Sequence, residues 1–283
     1  MTRHPCAAMA KDGSGLGSGL GDRCKGFEAA EAGRRAVRGQ PLVARLDGRA
    51  FHTFTRDLAR PYERGMSMAM IETARFLVEE TRALVGYTQS DEITLAWYEA
   101  EGSVSEYLFD GRFQKLASVL AGMASARFCQ LCVEHLPGKV AETPHFDARV
   151  WQVPTLADAM DVFVWREDDA TKNSITMAAG AYYSDRELDG KNGDVKREML
   201  RAKGVEWSEL PSFFQRGTYL QRRTSERELT AEERARIPEA HRPAEGATFK
   251  RTQVVTLEMP PVRTVANLAA VLFERAEPIA RGA

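Results

Sequence analysis

Met66, Met70, Ala74, Leu77, Thr81 and Leu84 recur every three or four positions, a largely apolar stripe that predicts a helix from about Glu63 to Val85. Before it, Pro41 to Leu46 is a short β-rich run stopped by Asp47-Gly48. After it, Val85 to Gln89 and Ile93 to Tyr98 are two more such runs, and Ser90-Asp91-Glu92 between them predicts a hairpin. A second long helix is expected over about Arg112 to Leu131, then an alternating strand from Phe146 to Val153. The order β-α-β-β-α-β is that of the split βαβ, ferredoxin-like sheet.

Residues 1–19 are rich in Gly and Ser and too poor in apolar residues to pack, so they read as a flexible leader in which Met9 is an alternative start. A charged helix is expected from near Leu20 to about Arg38. Residues 20–153 then form the core and 154–283 a mainly helical and C-terminal region packed on it. Past Leu210 the pattern gives a short strand (Thr218 to Arg222), a charged, loop-like stretch (Thr224 to Gly246), a strand (Arg251 to Leu257) and a final helix (Val265 to Arg275).

Composition changes this picture little. Of the 283 residues, 43% are hydrophobic and 28% charged, as in an ordinary globular protein. No apolar run is read as approaching the roughly 18 residues that span a bilayer, and the N-terminus lacks a signal-like apolar centre. The expectation is therefore a cytoplasmic protein without a membrane partner. A net charge of -1 offers no global attraction to nucleic acid, so such a partner would be held by local clusters: Arg34, Arg35 and Arg38, or Arg216, Arg222, Arg223 and Arg227. Solvated faces balanced by neighbouring Glu are the alternative reading of both. Cys129 and Cys132, with His135 nearby, lack a second pair at zinc-finger spacing and read as buried thiols on a helix face.

The candidate chemistry lies in two carboxylates at strand ends, Asp47 and Asp91, which the expected topology can bring together. Paired carboxylates suit Mg²⁺, which takes oxygen ligands and keeps several waters. Gly48 allows close backbone approach to a phosphate, and the amides of Arg49 to Phe51 can form an anion nest. Spacing alone leaves the ordinary-turn reading of Asp-Gly open.

The wording of the motifs is more specific. Arg45-Leu46-Asp47-Gly48-Arg49-Ala50-Phe51-His52, Arg60-Pro61-Tyr62, Gly86-Tyr87-Thr88-Gln89-Ser90-Asp91-Glu92, Phe146-Asp147-Ala148-Arg149-Val150 and Arg216-Gly217-Thr218 together resemble the tRNA-histidine guanylyltransferase superfamily. That resemblance implies an α+β fold with a polymerase-palm-like core that adds nucleotides in the 3′-to-5′ direction. It implies Asp47 and Asp91 as catalytic ligands of two Mg²⁺ ions, joined by the Gly48 carbonyl. Nucleotide contacts are implied for Gly48, Arg49, Ala50, Phe51, His52, Arg60, Ser90, Arg112 and Lys115, with GTP, ATP and other NTPs as substrates. His52 has the alternative role of orienting backbone. Arg60 stands where eukaryotic members usually carry lysine, an exchange that keeps charge but alters geometry. Contacts to the tRNA 5′ end and acceptor stem are expected from Asn173, Lys196, Arg216, Arg222 and Arg223, and the assembly from a homotetramer, a dimer of dimers. Thr171 replaces the histidine of the eukaryotic His-Ile-Asn-Asn-Leu-Tyr-Asn-Thr motif, so the chain is more similar to the bacterial and archaeal members. Those members imply template-directed tRNA 5′-end repair. Addition of a guanylate to tRNA-His, a nucleotide cyclase and a silent tRNA-binding protein are the alternatives.

Overall fold

The computed structural model describes residues 18–31, 33–103, 105–244 and 246–282. The leader and Met9 lie outside the described residues, apart from Ser18 and Gly19, which open the first helix. In chain order the helices are α1 (Ser18–Glu31), α2 (Phe51–Phe54), α3 (Arg64–Thr81), α4 (Phe113–His135), α5 (Leu156–Gly180), α6 (Asp185–Leu188), α7 (Gly193–Arg201), α8 (Ser212–Arg216), α9 (Ala231–Ala235) and α10 (Leu268–Glu274). The strands are β1 (Leu42–Gly48), β2 (Val85–Gln89), β3 (Glu92–Trp97), β4 (Phe146–Gln152), β5 (Thr218–Glu228) and β6 (Thr248–Leu257). They form one antiparallel sheet in the order β4-β1-β3-β2-β5-β6. Its first four members have the split βαβ order expected from the sequence.

Strand alternation sorts the residues onto two faces. Leu42, Ala44 and Leu46 of β1 stand opposite Trp97, Leu95 and Ile93 of β3, and all six belong to the main apolar core beneath α3 and α4. The Met66–Thr81 stripe of α3 is buried in that core as expected. α5 and α10 lie on the other face, where Phe163, Val271 and Leu272 pack on Val85, Tyr87, Ala96 and Tyr219. A capping box between Thr155 and Asp158 starts α5.

Several boundaries differ from the sequence reading. α3 stops at Thr81 because Arg82 adopts a left-handed conformation (φ 54°) and the Trp97 indole donates to the Thr81 carbonyl, 3.0 Å away. The charged N-terminal helix stops at Glu31; beyond it Arg35 bridges to Arg112 and Val37 bonds through its backbone to the Gln152 side chain. β5 runs past Arg222 to Glu228, paired with β6, so the first five residues of the stretch expected as loop, Thr224 to Glu228, are strand. α4 is long and apolar enough to cross a membrane by composition, with a mean hydropathy of 1.5, contrary to the sequence expectation. Its Leu116, Leu120, Ala124, Phe128, Leu131 and Cys132 are instead buried on the sheet, as suits a core helix. Burial raises the Cys132 thiol to about 11, and among the described residues no group of three potential ligands surrounds the two cysteines.

Candidate active site

Asp47 is the penultimate residue of β1, and register places it opposite Glu92 on β3 and Asp147 on β4. Asp91 occupies the second position of a two-residue hairpin loop, since Gln89 and Glu92 already pair; Ser90 turns the chain with φ 48°. The Gly48 amide donates to the Asp91 carbonyl at 3.0 Å, which holds the hairpin tip against the end of β1. Asp47, Asp91 and Glu92 thereby line one recess. Gly48 is required here by space, because a β-carbon would stand 2.4 Å from the Phe51 ring. That ring packs with Phe54, Phe128 and Phe146 beneath the carboxylates.

The recess is electrostatically strained. Burial, with the Asp47 charge adding to it, holds the Asp91 carboxyl above the ordinary aspartate range, although its own backbone amide and the Ser90 hydroxyl pull the other way. Burial also raises the Glu92 carboxyl in spite of two arginines. Arg166 of α5 donates Nε to Glu92 Oε1 at 2.6 Å and reaches Asp169 at 3.2 Å, while Arg45 Nε stands 3.8 Å from Glu92 Oε2. An all-oxygen donor set in which two carboxylates repel each other fits a hard divalent cation. Asp47 and Asp91 are the residues that would hold it.

Beside the recess lies a cavity of about 340 Å³, reached over Gln89, Ser90 and Asp91. Phe51, His52 and Arg60 stand on one side, Ala170, Asn173 and Met177 of α5 on another. Tyr62 closes it, its ring 5.4 Å from Phe213 and 4.9 Å from Phe214. Ala50 is left-handed (φ 56°), and among the described residues no backbone carbonyl takes the amides of Ala50, Phe51 and His52. The Arg49 amide is already taken by the His145 carbonyl at 2.9 Å, so the expected nest begins one residue later.

Of the residues expected at the site, the structure brings together Asp47, Gly48, Ala50, Phe51, His52, Arg60, Ser90, Asp91 and Asn173. Arg49 points outward toward His145, with Nη1 3.3 Å from Nε2. Lys196 stands on the outer rim, donating to the Thr176 hydroxyl at 3.1 Å. Arg112 and Lys115 do not join the site of this chain. α4 starts beside Arg34 and Ala36 and reaches the Phe51 cluster only at Phe128, about 20 Å further along its axis. Lys115 instead covers the Phe109 ring at 5.1 Å, and Arg112 donates to the Phe109 carbonyl. Of the residues expected to contact RNA, Arg216, Arg222 and Arg223 are each engaged within the protein. Arg216 is drawn inward, donating to the Met259 carbonyl (3.2 and 3.3 Å) and approaching Glu167 at 3.5 Å. Beside it Gly217 (φ 82°) lets the chain pass where a β-carbon would meet the Thr88 carbonyl at 2.6 Å. The Arg-Gly-Thr run therefore fastens β5 to β2. Arg222 and Arg223 lie further along β5, away from the hairpin tip, held by Glu79 and by Glu277 and the Ala276 carbonyl. The other basic cluster follows the solvated reading: Arg35 pairs with Asp110 and Arg38 with Glu106.

Sequence reasoning did not single out Glu92, Arg45, Arg166 or the Phe213–Phe214 pair. Strand alternation contained the signal for the first, because Glu92 shares a face with Asp47 once the two-residue turn is known. Nothing local marks Arg166, which comes from a helix 74 residues further on.

With this geometry in view, comparison with known proteins finds a matching family. A family model described as tRNAHis guanylyltransferase matches residues 21–154, the segment that carries every element of the carboxylate recess except α5. A bacterial tRNA(His) guanylyltransferase-like protein solved in complex with ATP is 28% identical, with a TM-score of 0.71 over 86% of this chain and 94% of its own. Residues 21–154 match the tRNA(His) guanylyltransferase family, and the chain as a whole is similar to its members. A bacterial tRNA(His) guanylyltransferase-like protein in complex with GTP is also similar, at 27% identity and a TM-score of 0.67 over the same shares. The tRNA(His) guanylyltransferase of Schizosaccharomyces pombe is 26% identical over 62% of this chain and 71% of that protein. These matches make the chain a nucleotidyltransferase of the tRNA guanylyltransferase type.

Proposed function

We propose that this guanylyltransferase relative adds nucleotides to the 5′ end of tRNA in the 3′-to-5′ direction, choosing each by pairing with the opposite acceptor-strand base. The observation that carries this reading is the meeting of Asp47 and Asp91 at the mouth of a nucleotide-sized cavity. An NTP fits there with its base against the Met66 and Phe214 side and its phosphates toward Ser90, Asp91 and the amides of Ala50 to His52. ATP and GTP in the related bacterial structures agree with such an occupant. Arg60 and His52 flank the phosphate path, and Asn173 closes it from α5. Two Mg²⁺ ions on Asp47, Asp91 and the Gly48 carbonyl would neutralise charge on the phosphoryl group in flight and on the leaving group.

In the reaction the 3′-hydroxyl of the incoming nucleotide attacks the α-phosphorus of an activated RNA 5′ end. The new P–O bond forms as the bond to pyrophosphate, or to the activating nucleotide's monophosphate, breaks; the hydroxyl proton passes to solvent. Thr171 stands where eukaryotic members carry histidine, which favours templated repair over recognition of tRNA-His alone. A homotetramer is the assembly proposed with this activity, to be read by light scattering.

The test is incubation of the full-length protein and Mg²⁺ with tRNA lacking its first 5′ nucleotide and carrying a 5′-triphosphate, offering one NTP at a time. Incorporation should follow the complement of the exposed base. Addition of G alone, opposite every base and only on tRNA-His, would overturn templated repair. A cyclic nucleotide formed without RNA, or tRNA binding without incorporation, would overturn the transfer reaction itself.

A further inference from the structure

The sheet face that carries Asp47 is only partly roofed. α5 buries Val85, Tyr87 and Ala96 of β2 and β3, yet on the edge strand β4 the same face presents Asp147 and Arg149 to solvent and leaves Trp151 half-buried. Trp165 of α5 stands beside Arg45 on this side of the sheet and is 51% exposed. Two guanidinium groups border its ring, Arg166 at 4.4 Å and Arg45 at 5.4 Å from the centroid. Neither Arg45 nor Arg149 is firmly engaged. Arg45 Nε is buried without a hydrogen-bond partner among the described residues, and Arg149 stands 3.6 Å from Asp147 across a solvated surface, where such a pair contributes little.

We propose that this strip is the seat of the RNA strand as it enters the carboxylate recess. The indole of Trp165 stacks on the base of an unpaired nucleotide, and Arg45 and Arg149 hold the adjoining phosphates. The inference rests on the tRNA-directed reading above. Three features favour a polynucleotide over other occupants. A half-exposed indole with guanidinium groups over its ring matches the way single strands are held without base readout. Arg45 and Asp47 are two residues apart on one strand, about 7 Å, so a nucleotide over Trp165 neighbours the one at the carboxylates. The nucleotide cavity opens beyond the hairpin tip, so the two substrates would reach Asp47 and Asp91 from different sides. Basic residues on β5, expected from sequence to hold RNA, are tied up in ion pairs.

The experiment measures the affinity of the full-length protein for fluorescently labelled, 5′-truncated tRNA by anisotropy, and for ATP with Mg²⁺ by calorimetry. Trp165→Ala should weaken tRNA binding about tenfold or more, the loss of one base–aromatic stack. Trp165→Phe should keep most of the affinity, and Arg149→Ala should reduce the salt dependence by about one phosphate contact. ATP affinity should be unchanged in all three. Unchanged tRNA affinity in Trp165→Ala would overturn the proposal, as would an equal loss of ATP affinity, which would assign Trp165 to holding Arg166 in place. A change of mass in light scattering would overturn it in favour of a second copy of the chain on this face. Wild-type protein that binds no tRNA would remove both this inference and the reading on which it rests, whereas binding that is insensitive to Trp165 removes the inference alone.

Discussion

The two faces of the central sheet use the same strands for opposite purposes. Toward α3 and α4, β1 and β3 present Leu42, Ala44, Leu46, Ile93, Leu95 and Trp97, none more than 7% exposed, so burial of apolar area holds that side together. Toward α5, one residue away at every step, they present Arg45, Asp47, Glu92 and Thr94. There the structure keeps ionisable groups buried or half-buried with incomplete compensation, which the cations and phosphate of the proposed reaction would complete. One face sets stability and the other spends part of it on chemistry. Alternation lets neighbouring residues serve both without compromise.

The comparison breaks most sharply under Asp47→Ala. Phosphoryl-transfer activity should fall about a thousandfold or more, as expected for a lost metal ligand, while the melting temperature stays at or above that of the wild type. A large loss of stability would show that Asp47 also holds the fold. Leu95→Ala, a change on the apolar face of β3, should do the reverse. It should destabilise by about 2–5 kcal/mol, read by denaturant titration, with activity per folded molecule near normal at low temperature.

Asp91→Asn sharpens the contrast because pH reports on it. In the metal-free protein the Asp91 carboxyl titrates above its unfolded value, so the folded state binds that proton more tightly. Ionised Asp91 therefore penalises the fold at neutral pH, and the penalty disappears as pH falls below the ordinary aspartate range. The asparagine variant should be more stable at pH 7, with no advantage near pH 3, in thermal melts run with chelator. A gain that persists at low pH would mean that charge is not its cause. The smallest effects are expected on the surface ribbon. Arg222→Ala should change stability by less than about 0.5 kcal/mol and leave tRNA affinity unaltered, since its partners are the carboxylate and carbonyl of Glu79.

What could be read in the sequence was whatever is local. Asp47 with Gly48 and Ser90 with Asp91 are short runs whose backbone demands are written beside them, and the α3 stripe declares itself by period. What was not legible came from distance. Arg112 and Lys115 follow the hairpin closely in sequence, but they open a 23-residue helix that runs from the far end of the sheet toward the site. Arg216 resembles any exposed arginine until Glu167 and the Met259 carbonyl, 49 and 43 residues away, are brought beside it. The ribbon beyond Arg222 is too charged to read as strand, because its pairing with β6 needs no apolar face.

α5 performs four tasks along 25 residues: it caps at Thr155, seats Phe163, pairs Arg166 with Glu92, and brings Asn173 to the cavity while Ser174 bonds to the Gln215 carbonyl at 2.9 Å. A helix turns about 100° per residue. One residue inserted between Phe163 and Asn173 would thus swing everything downstream to a different side while the upstream half stayed seated. Among descendants of this gene, length should drift freely between the strands of the outer ribbon, yet the count of residues from Phe163 to Asn173 is inherited as a fixed measure.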